Sequence, residues 1–524
     1  MLDFEPMYLD YQAMFYVSSL ALMLLALGLL VCQAGENGTL LNQALSYAID
    51  AYLCFRNPLK SQDGRTKVPS CPYQFPNGQG NLAKFYEGAS LSQHWREKYG
   101  PVYRIWSGLT PEIVVTRSEH VRSVFHDSNL HVKGPNMDSG WLIGELLGHC
   151  LGLLEPDDWS RVRSVVGGPF HHNKAVSYVG LVQRRVDEHF ELLRKFQATP
   201  DPGKEIILRP SEDFKFLPFL VLAEIIYGEL PENLKQQLKE IAILREDLWK
   251  AGMSGKLYRF SLGRLVPTKT NGSLRSFKSK WLDFNERAFR HATESVPMAP
   301  IVTMYTAMKD GKISETELLH TLDEALFANL DVTLGNFSWN PMFLAANPQI
   351  QEELRNEIKV IRNTEHKSFE GYFTSHSTLL HACILESARL KPMAPFSIPQ
   401  AAPTDRVLGG FIIPAGTNFV VDTVSLNILD EKWGPDTMLY RPQRFLEEQN
   451  PTQLRYRYWR YGFGPRQCLG KYTADVILHV LLASLVEKYY MRLKCTEYSD
   501  LEGWQRKPDT WISLAMEDIV CEPI

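Results

Sequence analysis

Cys468 stands in the run Tyr461-Gly462-Phe463-Gly464-Pro465-Arg466-Gln467-Cys468-Leu469-Gly470. A cysteine in a Gly/Pro-rich loop, with an arginine two residues before it and a glycine two after, suits a thiolate that must approach a large flat cofactor. Gly464 and Gly470 let the backbone come close with no Cβ in the way. Loop N–H groups can point at the sulfur and moderate its charge. Arg466 can pair with an anionic group on the cofactor's edge. An apolar helical run, Val476–Val486, follows. The competing reading of such a cysteine is a small buried hydrophobe with no chemistry.

Three further sets of residues have spacings that matter. Glu386 and Arg389 sit at i, i+3 among Ile384, Leu385 and Leu390, so they share a helix face and can form a buried pair. A buried pair needs more hydrogen-bond partners, and Arg444 in Tyr440-Arg441-Pro442-Gln443-Arg444-Phe445 is a candidate third member. Trp159 and Arg163 are four apart, hence on one helix face. In Ala328-Asn329-Leu330-Asp331-Val332-Thr333, Asn329 and Thr333 have the same spacing, with an acid between them.

In this order, the runs resemble the cytochrome P-450 superfamily. Its haem loop reads F-x-x-G-x-R-x-C-x-G, matched here at Gly464, Arg466, Cys468 and Gly470, with Tyr461 in the Phe place. Its E-x-x-R motif is similar to Glu386–Arg389. Its P-E-R-F motif is similar to Pro442–Phe445, with Gln443 in the Glu place. Its W-x-x-x-R is similar to Trp159–Arg163. Its oxygen-activating stretch [A/G]-G-x-[D/E]-T-[T/S] aligns with Ala328–Thr333, with Asn329 replacing the Gly and Val332 the first alcohol.

The resemblance implies a mainly α fold with a smaller β part and haem b ligated by Cys468. A thiolate on haem iron favours O–O cleavage. Arg466, Trp159 and Arg163 would hold the haem, with Gly464 and Gly470 shaping its loop. Glu386, Arg389 and Arg444 would brace that loop. Asp331 and Thr333 would move protons. An arginine common in the family after the Met393–Pro399 region is Gln400 here, which puts that propionate contact in doubt. The implied function is a monooxygenase that takes electrons from NADPH through a separate membrane-bound reductase and oxidises a bulky, largely apolar small molecule. Its style is similar to fungal enzymes of secondary metabolism, with a lean toward dioxopiperazine-derived toxins. Because Val332 cannot donate a proton, a haem-thiolate isomerase or dehydratase that does not activate O2 stays open beside it.

These residues need a large body to hold them, and 524 residues with 44% hydrophobic and 22% charged provide it. A net charge of −4 gives no reason to expect nucleic acid as a partner. The eight cysteines show no CxxC spacing, as expected in a reducing compartment. From Tyr11 to Gly35 there is no charged residue, long enough for one transmembrane helix. The acidic residues before it (Asp3, Glu5, Asp10) and the basic ones after it (Arg56, Lys60, Arg65, Lys67) orient the body to the cytoplasm. The expected organisation is an anchor over 1–35, a membrane-proximal segment and Pro/Gly linker over 36–80, and a catalytic domain over 81–524 at the endoplasmic reticulum membrane. On this topology the sequon at Asn37 goes unused. Within the domain the patterns predict a hairpin from Val102–Trp106 and Glu112–Thr116. They also predict helices over Val176–Phe196, Pro231–Gly252, Ser314–Trp339, Pro348–Arg362 and Ser377–Leu390, and strands between Arg406 and Val421.

Overall fold

The computed structural model describes residues 40–133, 140–196, 205–364, 369–447, 451–495 and 504–524. The expected anchor over 11–35 and the sequon at Asn37 lie outside the described residues. Among the described residues, no helix is long and apolar enough to cross a membrane.

Helices dominate. Those that bear on the site are α1 (Leu40–Arg56), α2 (Gly88–Tyr99), α3 (Pro156–Val166), α4 (Glu232–Met253), α5 (Glu315–Ala346), α6 (Leu379–Leu390) and α7 (Lys471–Lys488). A five-stranded sheet has the order β1-β2-β8-β5-β3, from strands Val102–Ser107, Thr110–Val115, Asn418–Val421, Gln400–Ala401 and Val132–Lys133. β1 and β2 form the expected antiparallel hairpin, and β8 lies parallel to β2. β4 (Ile206–Leu208), β10 (Ile519–Pro523) and β9 (Tyr489–Leu493) make a second sheet, and β6 (Arg406–Leu408) pairs with β7 (Phe411–Ile413).

α5 runs for 32 residues. Ser314 starts it with a capping box, its hydroxyl accepting from Glu317 N–H while Glu317 accepts from Ser314 N–H. The helix was expected to stop at Trp339. It continues through Pro341 to Ala346, because the whole stretch Thr333–Ala345 is buried and packing outweighs the one backbone bond a proline forfeits. α6 begins at Thr378, whose hydroxyl accepts from His381 N–H. α7 is buried on every side from Asp475 to Val486, as a central core helix must be when its apolar residues form no single stripe.

The Pro/Gly-rich stretch over 56–80, expected as a linker, is laid onto the catalytic body. Val68, Cys71 and Tyr73 are buried, Ser70 bridges Arg104, and Gly78 bridges Ser107. Its prolines and glycines serve turns against the sheet. At Gly78 (φ 65°) a Cβ would stand 2.4 Å from the Trp106 carbonyl oxygen, so glycine is required there. The helix expected over Val176–Phe196 divides at Tyr178 into a short turn and a longer helix, Val179–Phe196.

Candidate functional site

The cysteine loop enters α7 head-on. Cys468 lies two residues before Gly470, the N-cap residue of α7, so the helix dipole favours a thiolate there. The loop closes on itself, with Cys468 N–H donating to the Tyr461 carbonyl at 2.9 Å and Gln467 N–H to the Gly464 carbonyl at 3.2 Å. Both Gly462 (φ 78°) and Gly464 (φ 71°) take the left-handed conformation that a β-carbon penalises. The two signature glycines have different surroundings. A Cβ on Gly464 would meet Ser128 Oγ at 2.7 Å, so this glycine admits a neighbouring loop. A Cβ on Gly470 would meet nothing within 4 Å.

Behind the loop, the structure brings Glu386, Arg389 and Arg444 together. Arg389 donates from Nε and Nη2 to the Glu386 carboxylate at 2.7 and 2.9 Å, and Arg444 Nε donates to the same carboxylate at 2.9 Å. Glu386 and Arg389 side chains are 0% exposed and Arg444 is 7%, so water cannot substitute for any of these bonds. Backbone groups complete the set: Arg389 donates to the carbonyls of Asn427 and Thr437, and Arg441 N–H donates to Glu386. Asn427 carries the brace to the loop. Its side chain exchanges two hydrogen bonds with the Trp459 backbone, at 2.8 and 2.9 Å, and Trp459 stacks edge-on to Phe463 at 5.0 Å.

Tyr461, in the place where the resemblance leads one to expect a phenylalanine, must satisfy its extra hydroxyl. It donates to Asp475 on α7 at 2.8 Å, and Arg460 pairs with the same carboxylate at 2.8 Å. Burial alone would raise the Asp475 carboxyl, but Arg460 and nearby histidines hold it below the usual range. Next to it, His381 on α6 and His479 on α7 share a hydrogen bond of 3.0 Å. Burial pushes His479 down to about 4 and His381 to about 2.

On the other side of Cys468 stand Trp159, Arg163 and Arg466. The Arg466 guanidinium lies 5.2 Å from the Trp159 ring centroid, and both of its terminal nitrogens are buried without a hydrogen-bond partner among the described residues. Burial lowers Arg163, and the neighbouring Cys468 thiolate opposes that shift. Buried guanidinium nitrogens of this kind call for an anionic acceptor. A soft metal ligand at a helix N-terminus, open space over Gly470 and cations aimed at acidic groups on the same face fit a haem with its propionates. Gln400, on β5, is buried and its Oε1 has no partner among the described residues.

On α5, Thr333 donates to the Asn329 side-chain oxygen, and Asn329 Nδ2 donates to the Ala325 carbonyl at 2.6 Å. Asp331 is turned elsewhere and accepts from Trp511 Nε1 at 2.6 Å. Burial raises its pKa, and the Trp511 bond opposes that rise. Of the apolar residues expected beside the site, Phe396 is fully buried against Trp95 of α2, whereas Phe327, Met393 and Trp511 belong to the helical core around α5. Asn427, Asp475 and the histidine pair were not foreseen. Only Arg245 and Trp249, described below, carried a local signal, a cation–aromatic pair at i, i+4.

The cytochrome P450 family model matches residues 71–505. The chain is 46% identical to the cytochrome P450 monooxygenase aclC of Aspergillus oryzae over 90% of this chain and 95% of that one. It is 38% identical to the cytochrome P450 monooxygenase gliC of Aspergillus fumigatus over 92% of this chain and 94% of that one. A solved zebrafish cytochrome P450 structure with abiraterone shares the fold, with a TM-score of 0.63 at 20% identity over 83% of this chain and 99% of that one. With the ordered motifs converging on one loop and a family match spanning most of its length, the chain belongs to the cytochrome P450 family and is a monooxygenase.

Proposed function

We propose that the protein is a haem-thiolate monooxygenase of fungal secondary metabolism that oxidises a bulky, largely apolar small molecule, with a dioxopiperazine as the favoured scaffold. Electrons come from NADPH through a separate membrane-bound reductase, and residues 11–35 anchor the chain in the endoplasmic reticulum membrane. The observation that carries the reading is Cys468, held at the head of α7 two residues after Arg466, whose terminal nitrogens have no acceptor among the described residues. Relatives named as monooxygenases in Aspergillus support the reaction class. They give no support to an O2-independent isomerase.

When bound, haem supplies the centre at which O2 is reduced by two electrons and two protons, one atom passing to substrate and the other leaving as water. The chain's own residues do the rest. Cys468 would supply the sulfur that holds the haem iron, and the Tyr461–Cys468 backbone bond fixes the loop that carries it. Arg466, Trp159 and Arg163 would hold the propionates. Thr333 keeps its hydroxyl fixed by donating to Asn329, leaving its lone pairs to accept from water. Asp331 delivers protons only when its bond to Trp511 opens. Val332 exchanges none.

Purified protein with reductase and NADPH should take up O2 in the presence of dioxopiperazines and transfer one atom of labelled 18O2 to product. Rearrangement of hydroperoxides without O2 uptake would overturn the proposal.

A further inference from the structure

Two acids of α5 hold the ends of one chain of side chains. Asp323, Phe327 and Asp331 fall on successive turns of a single face, four residues apart. Arg245 and Trp249, also four apart, stand on the facing stripe of α4. Arg245 grips Asp323 with Nε at 2.9 and 3.0 Å and Nη2 at 2.9 Å. Its guanidinium lies 4.9 Å from the Trp249 ring and 6.0 Å from the Phe327 ring. Trp249 in turn meets Trp511 at 5.3 Å and 63°. Trp511 is tied to Asp331 and stands edge-on to Phe85 at 6.4 Å. Trp249 is thus wedged between two groups, each fixed to the same helix, and its own indole Nε1–H is buried with no acceptor among the described residues.

A buried, oriented donor lacking an acceptor is costly to keep and calls for an occupant. The local charge decides which. Asp323 and Asp331 oppose Arg245, while Lys215 and Glu246 pair with each other at 2.8 Å, so the surroundings sum to a negative charge and repel an anion. An ammonium would meet the positive edge of an indole N–H. The geometry points to a neutral carbonyl. We propose that Trp249 Nε1 donates to a neutral carbonyl oxygen of the substrate, of the kind an amide presents, while Trp511 packs on the substrate's apolar bulk. The inference rests on the reading of α5 as the helix beside the haem. It adds a specificity-determining residue and a required acceptor to that reading.

The test is spectral titration of the haem-loaded enzyme with three probes. They are cyclo(Phe–Ala), a neutral dioxopiperazine, bibenzyl, which has the rings and no carbonyl, and imidazole, which ligates iron directly. Trp249→Phe keeps a ring and removes the N–H. It should weaken cyclo(Phe–Ala) roughly five- to tenfold, the effect of one hydrogen bond, and leave bibenzyl and imidazole unchanged. Equal loss for bibenzyl would make Trp249 a packing residue and overturn the proposal. So would unchanged dioxopiperazine binding, or a wild-type enzyme that takes imidazole and ignores cyclo(Phe–Ala). Replacing Trp249 by benzothienylalanine, its sulfur isostere, repeats the test without a change of shape if the Phe variant fails to fold. A wild-type protein that gives no imidazole shift would remove the haem reading, and this proposal with it.

Discussion

At the residue scale, the handling of protons turns on a single replacement. Val332 cannot donate, and Thr333 one position later keeps an alcohol locked to Asn329. Thr333→Ala should therefore raise hydrogen peroxide released per NADPH consumed several-fold, whereas Val332→Ala should leave that ratio alone. Asn329→Ala should move it in the same direction as Thr333→Ala, because the hydroxyl loses the group that orients it. Equal coupling in wild type and Thr333→Ala would assign the proton path to the substrate. Tyr461 allows a separate measurement. Tyr461→Phe removes the bond to Asp475 and leaves that buried carboxylate with Arg460, so thermal unfolding should register a loss of about 1–2 kcal/mol.

At the scale of elements, α6 is tied behind the cysteine loop to Arg444 by charge and to α7 by imidazole. Glu386→Gln would strand two buried guanidiniums on one amide, and a cost of about 3–5 kcal/mol is expected. That loss should appear as failure to retain haem during purification. The His381–His479 bond needs at least one neutral ring, and two protonated rings would face donor to donor. Burial lowers His479 to about 4 in the fold, below the value of about 6.5 for an unfolded histidine. The unfolded chain thus binds the proton more tightly. The contribution to stability is fully present above about pH 6.5 and is lost as pH falls toward 4, amounting to about 2 kcal/mol by pH 5. Denaturant midpoints measured from pH 7 to 5 should fall in wild type and fall less in His479→Gln. The legible part of this region was what neighbouring residues settle among themselves. The Glu386–Arg389 pairing follows from helical spacing, and the hairpin of β1 and β2 from its alternation. Asn427, which carries the brace to the loop, and Asp475, which answers the Tyr461 hydroxyl, act across 32 and 14 residues, where no local pattern reaches. The helix end expected at Trp339 falls short for a related reason, since only the burial around Pro341 shows why α5 continues.

At the scale of the whole molecule, the proposed function requires an anchor over residues 1–35, outside the described residues, beside a proximal segment docked on the haem domain. α1 exposes Leu40, Tyr47 and Phe55, and the 56–80 stretch packs onto the sheet, so α1 and the body are joined without a loose linker. Full-length protein should pellet with membranes after an alkaline carbonate wash, while a variant lacking residues 1–35 should be released; release of both would remove the anchor. Everything else depends on a bond between Cys468 and iron. The most direct measurement is the absorption spectrum of the reduced, carbon-monoxide-bound protein beside that of Cys468→Ser. The red-shifted band of thiolate ligation should appear in the first and be lost in the second. A wild-type protein without that band, or a serine variant that keeps it, would rule out Cys468 as the ligand to iron.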